Sequence, residues 1–377
     1  METKTLFNHF EVIEDPRDIR GKKHELISIL IMTIYGTLCG YTDFTNMVDF
    51  LTLNENYFIK LLNLKNGIPS HDTFSRVFAQ INPDKFMEIF IQWIKEIIGN
   101  KGLHIAIDGK AIKSARDKIN NGNVPYILSG FFCDIGLSIG EIKIDDKSNE
   151  IAAIPQLLDL IDIKGKIVTI DAIGTHEDIA NKIVYEKKGA YILKVKKNQK
   201  ELMDDIKTYF DLEIKNDSSD IAIYESCFEK DHGRIEKRTY YLSYNVNCIH
   251  NCNKWKSVKA IGRIDVYREE NGQATTSKNY YILSQQTSLN SFINLTREHW
   301  NIECSLHWRL DVLLDEDHST SKKDNSIDNL AIIRKIVFNL VKLDNSMGNL
   351  TFKKKMTRYL FDFKNIENLI FNVIPSL

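Results

Sequence analysis

The chain reads His-Ile-Ala-Ile-Asp-Gly-Lys at residues 104–110, so an apolar run there ends in a carboxylate, Asp108. A second apolar run, Ile-Val-Thr-Ile-Asp at residues 167–171, ends in Asp171. Short apolar runs of this length are typical of buried β-strands. A carboxylate directly after such a strand is held by rigid backbone at the rim of a sheet. Both aspartates are therefore candidates for a site built at a sheet edge.

A third acidic residue, Glu303, lies in a segment with helical periodicity. The segment carries an apolar stripe that can pack on a sheet. The stripe is formed by Ile302, Leu306, Leu310 and Leu313. Beside it, polar residues recur every four positions, at His299, Glu303, His307 and Asp311. A Glu next to the buried face can reach the rim of the sheet. Two strand-end aspartates and such a Glu can hold a pair of Mg²⁺ ions, an arrangement that suits phosphoryl transfer on nucleic acid.

Two other interpretations of the polar line stay open. It can be an ordinary solvated face stabilised by pairs of side chains on the helix surface. It can also be a mononuclear metal site, although His299 and His307 are about 12 Å apart along the helix axis, which is too far for one ion to bind both easily.

The composition describes an ordinary globular chain of 377 residues, with 43% hydrophobic and 27% charged residues and a net charge of −1. That net charge neither supports nor excludes a nucleic-acid partner. The longest apolar run, residues 26–38, contains Ser, Thr, Tyr and Gly and indicates a buried helix rather than a membrane span. No secretory signal opens the chain, so we expect a cytoplasmic protein with reduced cysteines. Cys248 and Cys252 lack the second ligand pair of a structural zinc site.

The periodicity predicts an α/β protein with distinct parts. Residues 1–100 carry helical patterns and indicate an all-helical N-terminal domain. Helices that start near Ser70 and Asn82 could form a DNA-reading helix-turn-helix or a packing domain. From residue 101 strands mix with helices, which indicates an α/β sheet domain at residues 101–377. Residues about 215–288 are almost all β, with a hairpin signal at Asn271-Gly272, and we interpret this block as an insertion into a catalytic domain.

The chain lacks the usual signatures of other phosphate or acyl chemistry. It has no glycine-rich phosphate loop after a strand, no Gly-x-Ser-x-Gly motif and no Cys/His nucleophile pattern. Activated water or a DNA 3′-hydroxyl is therefore a better candidate attacker than a protein nucleophile. A basic segment at residues 194–200, Lys-Val-Lys-Lys-Asn-Gln-Lys, follows a predicted strand and is either a solvated turn or a contact for phosphates.

Five blocks of the chain, taken in order, resemble the insertion-sequence transposases that carry a DDE catalytic triad, in the ISAs-type or H-repeat-associated branch. The blocks are Asp15-Pro16-Arg17 with residues 20–24, Asp108-Gly109-Lys110, residues 171–176, residues 194–199 with 232–236, and residues 299–303 with 306–312 and Glu316-Asp317. The resemblance covers nearly the whole chain, and its blocks around Asp171 and Glu303 are specific.

This resemblance implies an RNase H-like fold with Asp108, Asp171 and Glu303 as the catalytic ligands of two Mg²⁺ ions, for which Mn²⁺ can substitute. It implies a DNA transposase that cuts at the ends of an insertion sequence and transfers the freed 3′-hydroxyl into target DNA. The partners implied are double-stranded DNA, as terminal inverted repeats and as target, and other copies of the chain in a homodimer or larger complex. The protein would then work at the nucleoid, with no membrane partner.

The resemblance and the basic residues together predict the side chains that contact DNA. They are Lys110, His176, Lys194, Lys196, Lys197, Asn198, His232, Arg234, Arg297, His299 and Arg309. Many related families place Arg four residues before the Glu and Lys seven after it. Here His299 and Leu310 occupy those positions, so the hairpin-forming mechanism linked to that signature is not carried over. Two alternatives stay open: an RNase H-like nuclease without strand transfer, and a non-catalytic DNA-binding protein derived from a transposase.

Overall fold

The computed structural model of the chain describes residues 4–18, 20, 22–112, 126–144, 150–231, 233–321 and 323–374. These residues form a mixed α/β fold around one large mixed sheet. The helices are α1 Leu6–Phe10, α2 Leu26–Leu38, α3 Phe44–Leu53, α4 Glu55–Leu62, α5 His71–Gln80, α6 Pro83–Ile98, α7 Glu150–Leu160, α8 Glu177–Asn181, α9 Lys200–Lys215, α10 Leu289–Glu298, α11 Trp308–Val312, α12 Ser326–Leu343, α13 Phe352–Tyr359 and α14 Lys364–Phe371. The strands are β1 His104–Ala111, β2 Tyr126–Phe132, β3 Leu137–Ile144, β4 Ile167–Ile170, β5 Ala190–Val195, β6 Ile221–Glu225, β7 Glu229–Asp231, β8 Arg234–Ser243, β9 Ala260–Glu270 and β10 Gln273–Leu283.

The described residues before β1 form helices and no strand, in agreement with the periodicity of residues 1–100. Asn82 begins α6 by accepting hydrogen bonds from the amides of Asp84 at 3.0 Å and Lys85 at 3.2 Å, with Pro83 as the first helical residue. α2 is buried along nearly its whole length, so the prediction of a buried helix there is confirmed. In the part of the chain that the structure describes, no helix combines the length and apolar character needed to cross a bilayer.

The N-terminal helices pack on the C-terminal half of the chain. α2, α5 and α6 contact α12, and α6 also contacts β3. Asn329 on α12 donates from Nδ2 to the carbonyl oxygens of Phe78 at 2.8 Å and Ile81 at 3.0 Å, and so satisfies the last turn of α5. One hydrophobic core runs from Leu6 in α1 to Ile370 in α14. The helices before residue 100 share this core with the rest of the chain. The domain boundary at residue 100 therefore stays a prediction.

The sheet has ten strands among the described residues, in the order β3-β2-β1-β4-β5-β10-β9-β8-β6, with β7 paired to β8. β1, β4 and β5 are parallel neighbours, whereas β2 and β3 are antiparallel. β10 pairs antiparallel with β5, with Tyr280 opposite Val195. The β-rich block therefore extends the same sheet instead of forming a separate one. The predicted hairpin turn at Asn271-Gly272 is confirmed between β9 and β10, where both residues have positive φ, 51° and 74°.

A cluster of buried charges joins β1, β3 and α12. Lys335 on α12 pairs with Glu141 on β3, and both side chains are almost wholly buried. Lys110 on β1 donates to Glu316 Oε2 at 2.6 Å. Burial would raise the pKa of Glu316, but the positive charges of Lys110, Lys335 and Arg334 hold that pKa at about 2. Glu316 is therefore an anion at neutral pH and compensates the charge of buried cations.

We expect Glu316→Gln to lower the free energy of unfolding by about 3 kcal/mol at neutral pH, because the neutral amide removes one of the buried carboxylates that compensate the charges of Lys110, Lys335 and Arg334. The folded pKa of Glu316 is lower than its ordinary value of 4.5. Its stabilisation is therefore fully present well above that value and is lost as the pH falls towards the folded pKa. Urea unfolding of wild type and variant should be measured at pH values between the ordinary and the folded pKa of Glu316. The difference in their free energies of unfolding should decrease as the pH falls.

The matched control for this prediction is Glu201→Gln, which neutralises an exposed carboxylate on α9. We expect it to change the unfolding free energy by less than about 0.5 kcal/mol. A Glu316→Gln deficit of the same size at every pH would contradict the assignment of Glu316 as a buried counter-ion.

Candidate active site

The two aspartates predicted at strand ends are neighbours across a parallel strand pair. β1 and β4 pair with Ile107 opposite Ile170, so Asp108 and Asp171 are the next residues along the two chain segments. Neighbouring strands lie about 4.8 Å apart. Asp171 directly follows β4, as the sequence predicts, whereas Asp108 lies inside β1, which continues to Ala111 through its pairing with β2. The two aspartates therefore lie at adjacent positions where the parallel pairing of β1 with β4 ends.

The backbone after β4 holds Asp171 in a tight turn. Its Oδ1 accepts a hydrogen bond from the amide of Ile173 at 2.9 Å and caps the short 3₁₀ turn Ala172–Gly174. Asn198, in the basic segment after β5, donates from Nδ2 to the carbonyl oxygen of Ala172 at 2.8 Å. Through this hydrogen bond, the side-chain amide of Asn198 fixes the basic segment directly beside Asp171.

Glu303 lies in a π-helical segment, Ile302–His307, that joins α11. Ile302, Leu306 and Leu310 are at most 1% exposed, which confirms the first three positions of the predicted apolar stripe. Glu303 itself is exposed. A π-helical turn is wider than an α-helical one and occurs frequently at functional sites. The regular helix expected from the sequence is therefore interrupted at its acidic residue.

The polar side chains in and after the π-helical turn contact different parts of the protein. His307 is buried, and its Nδ1 lies 3.6 Å from Oδ2 of Asp108. Burial, together with the positive charge of Lys110, lowers the pKa of His307 to about 3, so its ring is neutral at physiological pH. Asp311 pairs with Lys110. The four-residue polar line predicted from the sequence is thus shared between the carboxylate site and the buried charge cluster.

The carboxylates affect one another electrostatically. Burial, together with the negative charges of Glu303 and Asp171, raises the pKa of Asp108 to about 7. Burial and the charge of Asp171 also raise the pKa of Glu303. The negative charges at this edge therefore disfavour the anionic forms of Asp108 and Glu303, and a cation placed among them would relieve the repulsion.

A chain of neutral side chains supports this edge of the sheet. His104 Nε2 lies 2.8 Å from Oγ1 of Thr169, and the same hydroxyl lies 2.9 Å from Nδ1 of His299. Burial, together with the charge of a protonated His104, lowers the pKa of His299 to about 4. The sequence predicts His299 as a DNA contact but does not single out His104 and Thr169. Their position within the two strand runs was the available signal.

Basic residues line two clefts next to the carboxylates. One has a volume of about 630 Å³ and is lined by Asp171 together with Lys194, Lys196, Lys197, Asn198 and Lys278. The other has a volume of about 700 Å³ and is lined by residues that include Lys194, Arg234, Arg238, Arg268, Arg297 and Trp300. Lys194 belongs to both clefts. Four further lining residues were not among the predicted DNA contacts and lie on strands of the β-rich block or near Glu303: Arg238, Arg268, Lys278 and Trp300.

Other side chains expected to contact DNA have protein partners. Lys110 forms ion pairs with Asp311 and Glu316. Arg297 makes two 2.9 Å hydrogen bonds to Glu229 on β7. Arg309 donates to the carbonyl oxygen of Ser305 at 2.7 Å. His176 is half-buried just before α8. His232 lies outside the described residues.

The donor chemistry of Asp108, Asp171 and Glu303 fits a hard divalent cation, since all three offer carboxylate oxygens. Within the described residues, no group of three or more His, Cys, Asp or Glu side chains forms a ready metal-binding cluster. Burial, with the negative charges of Glu303 and Asp171, raises the pKa of Asp108, and a divalent cation at this edge would offset that cost of its charge.

Two family models match the chain. The model described as DDE_Tnp_1-associated matches residues 7–94, and the model of the Transposase DDE domain matches residues 99–340. Among curated relatives, "H repeat-associated putative transposase YhhI" of Escherichia coli (strain K12) is 35% identical over 351 residues, which are 91% of this chain and 92% of that protein. "Putative transposase YncI" of Escherichia coli O157:H7 is 35% identical over 91% of this chain and 88% of its own length.

Among solved structures, the piggyBac transposase synaptic complex with hairpin DNA aligns with 98% of this chain and 84% of that chain, at 12% identity and a TM-score of 0.46. The residues matched by the Transposase DDE domain model include the two aspartates at the sheet edge and Glu303. The chain belongs to the family of DDE transposases, in the branch of the H repeat-associated proteins, and is a DNA transposase.

Proposed function

We propose that Asp108, Asp171 and Glu303 are the catalytic carboxylates of this transposase and hold two Mg²⁺ ions, for which Mn²⁺ can substitute. The observation that carries the proposal is the parallel pairing of Ile107 with Ile170, which makes the two aspartates neighbours. The effect of Glu303 on the pKa of Asp108 supports its inclusion as the third carboxylate.

The proposed reaction has two displacements at phosphorus. In the first, water attacks a phosphodiester at the end of the element, the bond from phosphorus to the 3′ oxygen breaks, and a 3′-hydroxyl is released. In the second, that hydroxyl attacks a phosphodiester of target DNA, and a 3′ oxygen of the target strand leaves. When bound, the cations would supply Lewis acidity to the attacking and leaving oxygens.

The side chains of the chain itself hold the reacting groups in place. Strand pairing fixes the spacing of Asp108 and Asp171, and the turn after Asp171 fixes the direction of its carboxylate. Neutral His307 lies beside Asp108 and adds no charge to the site. The basic clefts that contain Lys194, Lys196, Lys197 and Arg234 would hold the DNA backbone next to the carboxylates, as positioning contacts to phosphates do. Positioning of this kind lowers the barrier for an in-line attack.

The finer architecture belongs to the same proposal. The strand order β3-β2-β1-β4-β5, with β1, β4 and β5 parallel, supports an RNase H-like catalytic domain at residues 101–377. Residues 1–100 would be a helical N-terminal domain, and residues about 215–288 an insertion. The substrates would be terminal inverted repeats and target DNA, bound by a homodimer or larger assembly in the cytoplasm at the nucleoid.

Replacing any one carboxylate should abolish cleavage, because each would be a ligand of the cations. A labelled duplex carrying the element's own end should be nicked by wild type in Mg²⁺ and not in EDTA. Asp171→Ala and Glu303→Ala should cut below detection while binding the duplex as wild type does. Asp178→Ala, an exposed carboxylate on α8, is the control and should cut normally. Cleavage by Asp171→Ala would overturn the assignment.

Strand transfer separates a transposase reaction from simple nuclease action. With a pre-cut end that carries a 3′-hydroxyl, wild type and Mg²⁺ should give joined products with a supercoiled target plasmid. The same end with a 3′-deoxy terminus should give none, because the attacking oxygen is missing. Cleavage without joining, in Mg²⁺ and in Mn²⁺, would favour a nuclease without strand transfer.

A further inference from the structure

A basic loop near the N-terminus, described at residues 15–18, 20 and 22–24, is held together by the largely buried side chain of Arg17. Arg17 makes paired hydrogen bonds to Asp15, from Nε at 2.9 Å and from Nη2 at 2.8 Å. The same Nη2 donates to the carbonyl oxygen of His24 at 2.6 Å. Asn66, in the turn before α5, donates to the carbonyl oxygen of Lys23 at 2.6 Å. These bonds close the loop and attach it to the turn that leads into α5.

The loop and α5 together enclose a cleft of about 740 Å³. Its lining includes four cationic side chains, Arg17, Arg20, Lys23 and Arg76, and one carboxylate, Asp18. The cleft therefore carries an excess of positive charge. This cleft shares no lining residue with the two basic clefts near the carboxylates. Its positive charge is therefore a separate feature of the molecule.

Three of the four cations of this cleft are available to a ligand. Arg17 has its charge paired with Asp15, and its side chain is only 9% exposed, although its buried Nη1 has no hydrogen-bond partner within the described residues. Arg20, Lys23 and Arg76 are exposed and form no ion pair with a carboxylate in the described part of the chain. Burial lowers the pKa of His24, and the charges of Arg17 and Lys23 add to this effect, so His24 contributes polarity rather than charge. An anion with several oxygens would satisfy these donors.

We infer that this cleft binds the phosphate backbone of duplex DNA at the element ends and places the exposed side of α5 against a groove of that duplex. The inference rests on the proposed function for the identity of the DNA. α5 is about 15 Å long, and the major groove of B-DNA is about 12 Å wide and admits a helix. Ser70, His71 and Arg76 are exposed on or just before α5 and are polar enough to reach base edges or phosphates.

α12 connects this cleft to the catalytic edge of the sheet. Asn329 on α12 holds the last turn of α5, and Arg334 and Lys335 belong to the buried charge cluster about 9 Å further along the same helix. That cluster includes Lys110, two residues after Asp108 on β1. A duplex seated in the cleft would therefore have a fixed register relative to the carboxylates, so recognition there would set the position of the cut.

The test is equilibrium binding of full-length protein to a fluorescently labelled duplex carrying the element's end, measured in EDTA at several salt concentrations. The double variant Arg20→Gln with Lys23→Gln should bind at least about tenfold more weakly at physiological salt. Its plot of log affinity against log salt should be shallower by about 2, since two phosphate contacts are lost. Arg76→Gln should reduce the slope by about 1.

The matched control removes two exposed lysines from the insertion, Lys254→Gln with Lys256→Gln, and should leave affinity and slope unchanged. Unfolding temperatures equal to wild type would show that the cleft variants are folded. A cleft variant with the affinity and slope of wild type overturns the inference and leaves the carboxylate proposal intact. A wild type that never cuts, with cleft variants that bind weakly, overturns the carboxylate proposal alone.

Discussion

The parallel pairing of β1 with β4 is the constraint on which the rest of the site depends. Because Ile107 lies opposite Ile170, two acidic residues that are 63 positions apart in sequence leave the sheet at adjacent points. The surroundings of that edge differ on its two sides. The basic segment after β5 is hydrogen-bonded to the turn after Asp171 through Asn198 and brings lysines beside that carboxylate. Beside Asp108, burial keeps the ring of His307 neutral. Lys110, two residues after Asp108, is held in ion pairs within the protein.

The sequence predicted the parts of this site that are encoded locally. Short apolar runs identify the strands that carry Asp108 and Asp171, although β1 continues past Asp108 to Ala111. The spacing of Ile302, Leu306 and Leu310 identifies the buried face of a helix. It could not predict the π-helical turn, because no residue of Ile302–His307 signals a change of helical period. It could not predict either that Lys110 would pair with Glu316, more than 200 positions away, because that contact depends on tertiary packing.

The fold shows the same division between local and long-range information. Helices before residue 100 and a β-rich block after residue 215 follow from periodicity, and the Asn271-Gly272 turn follows from its chemistry. The pattern does not specify that β10 would pair with β5, because antiparallel partners distant in sequence leave no signature in either strand alone. The proposed common role of Asp108, Asp171 and Glu303 comes from the resemblance to a known family, because periodicity alone assigns no role to a residue.

The continuity of the sheet across β5 and β10 has a mechanical consequence. The β-rich block that carries Arg234, Arg238 and Arg268 is hydrogen-bonded to the strand that leads into the basic segment, so this block and the carboxylate edge form one stiff platform. If DNA lies across this platform as proposed, the bending needed to bring a phosphate to the carboxylates must come from the duplex. Pyrimidine–purine steps bend and unstack easily, whereas A-tracts resist. Efficiency would then depend on the deformability of base steps that no side chain touches, which cleavage rates on matched flexible and stiff duplexes would reveal.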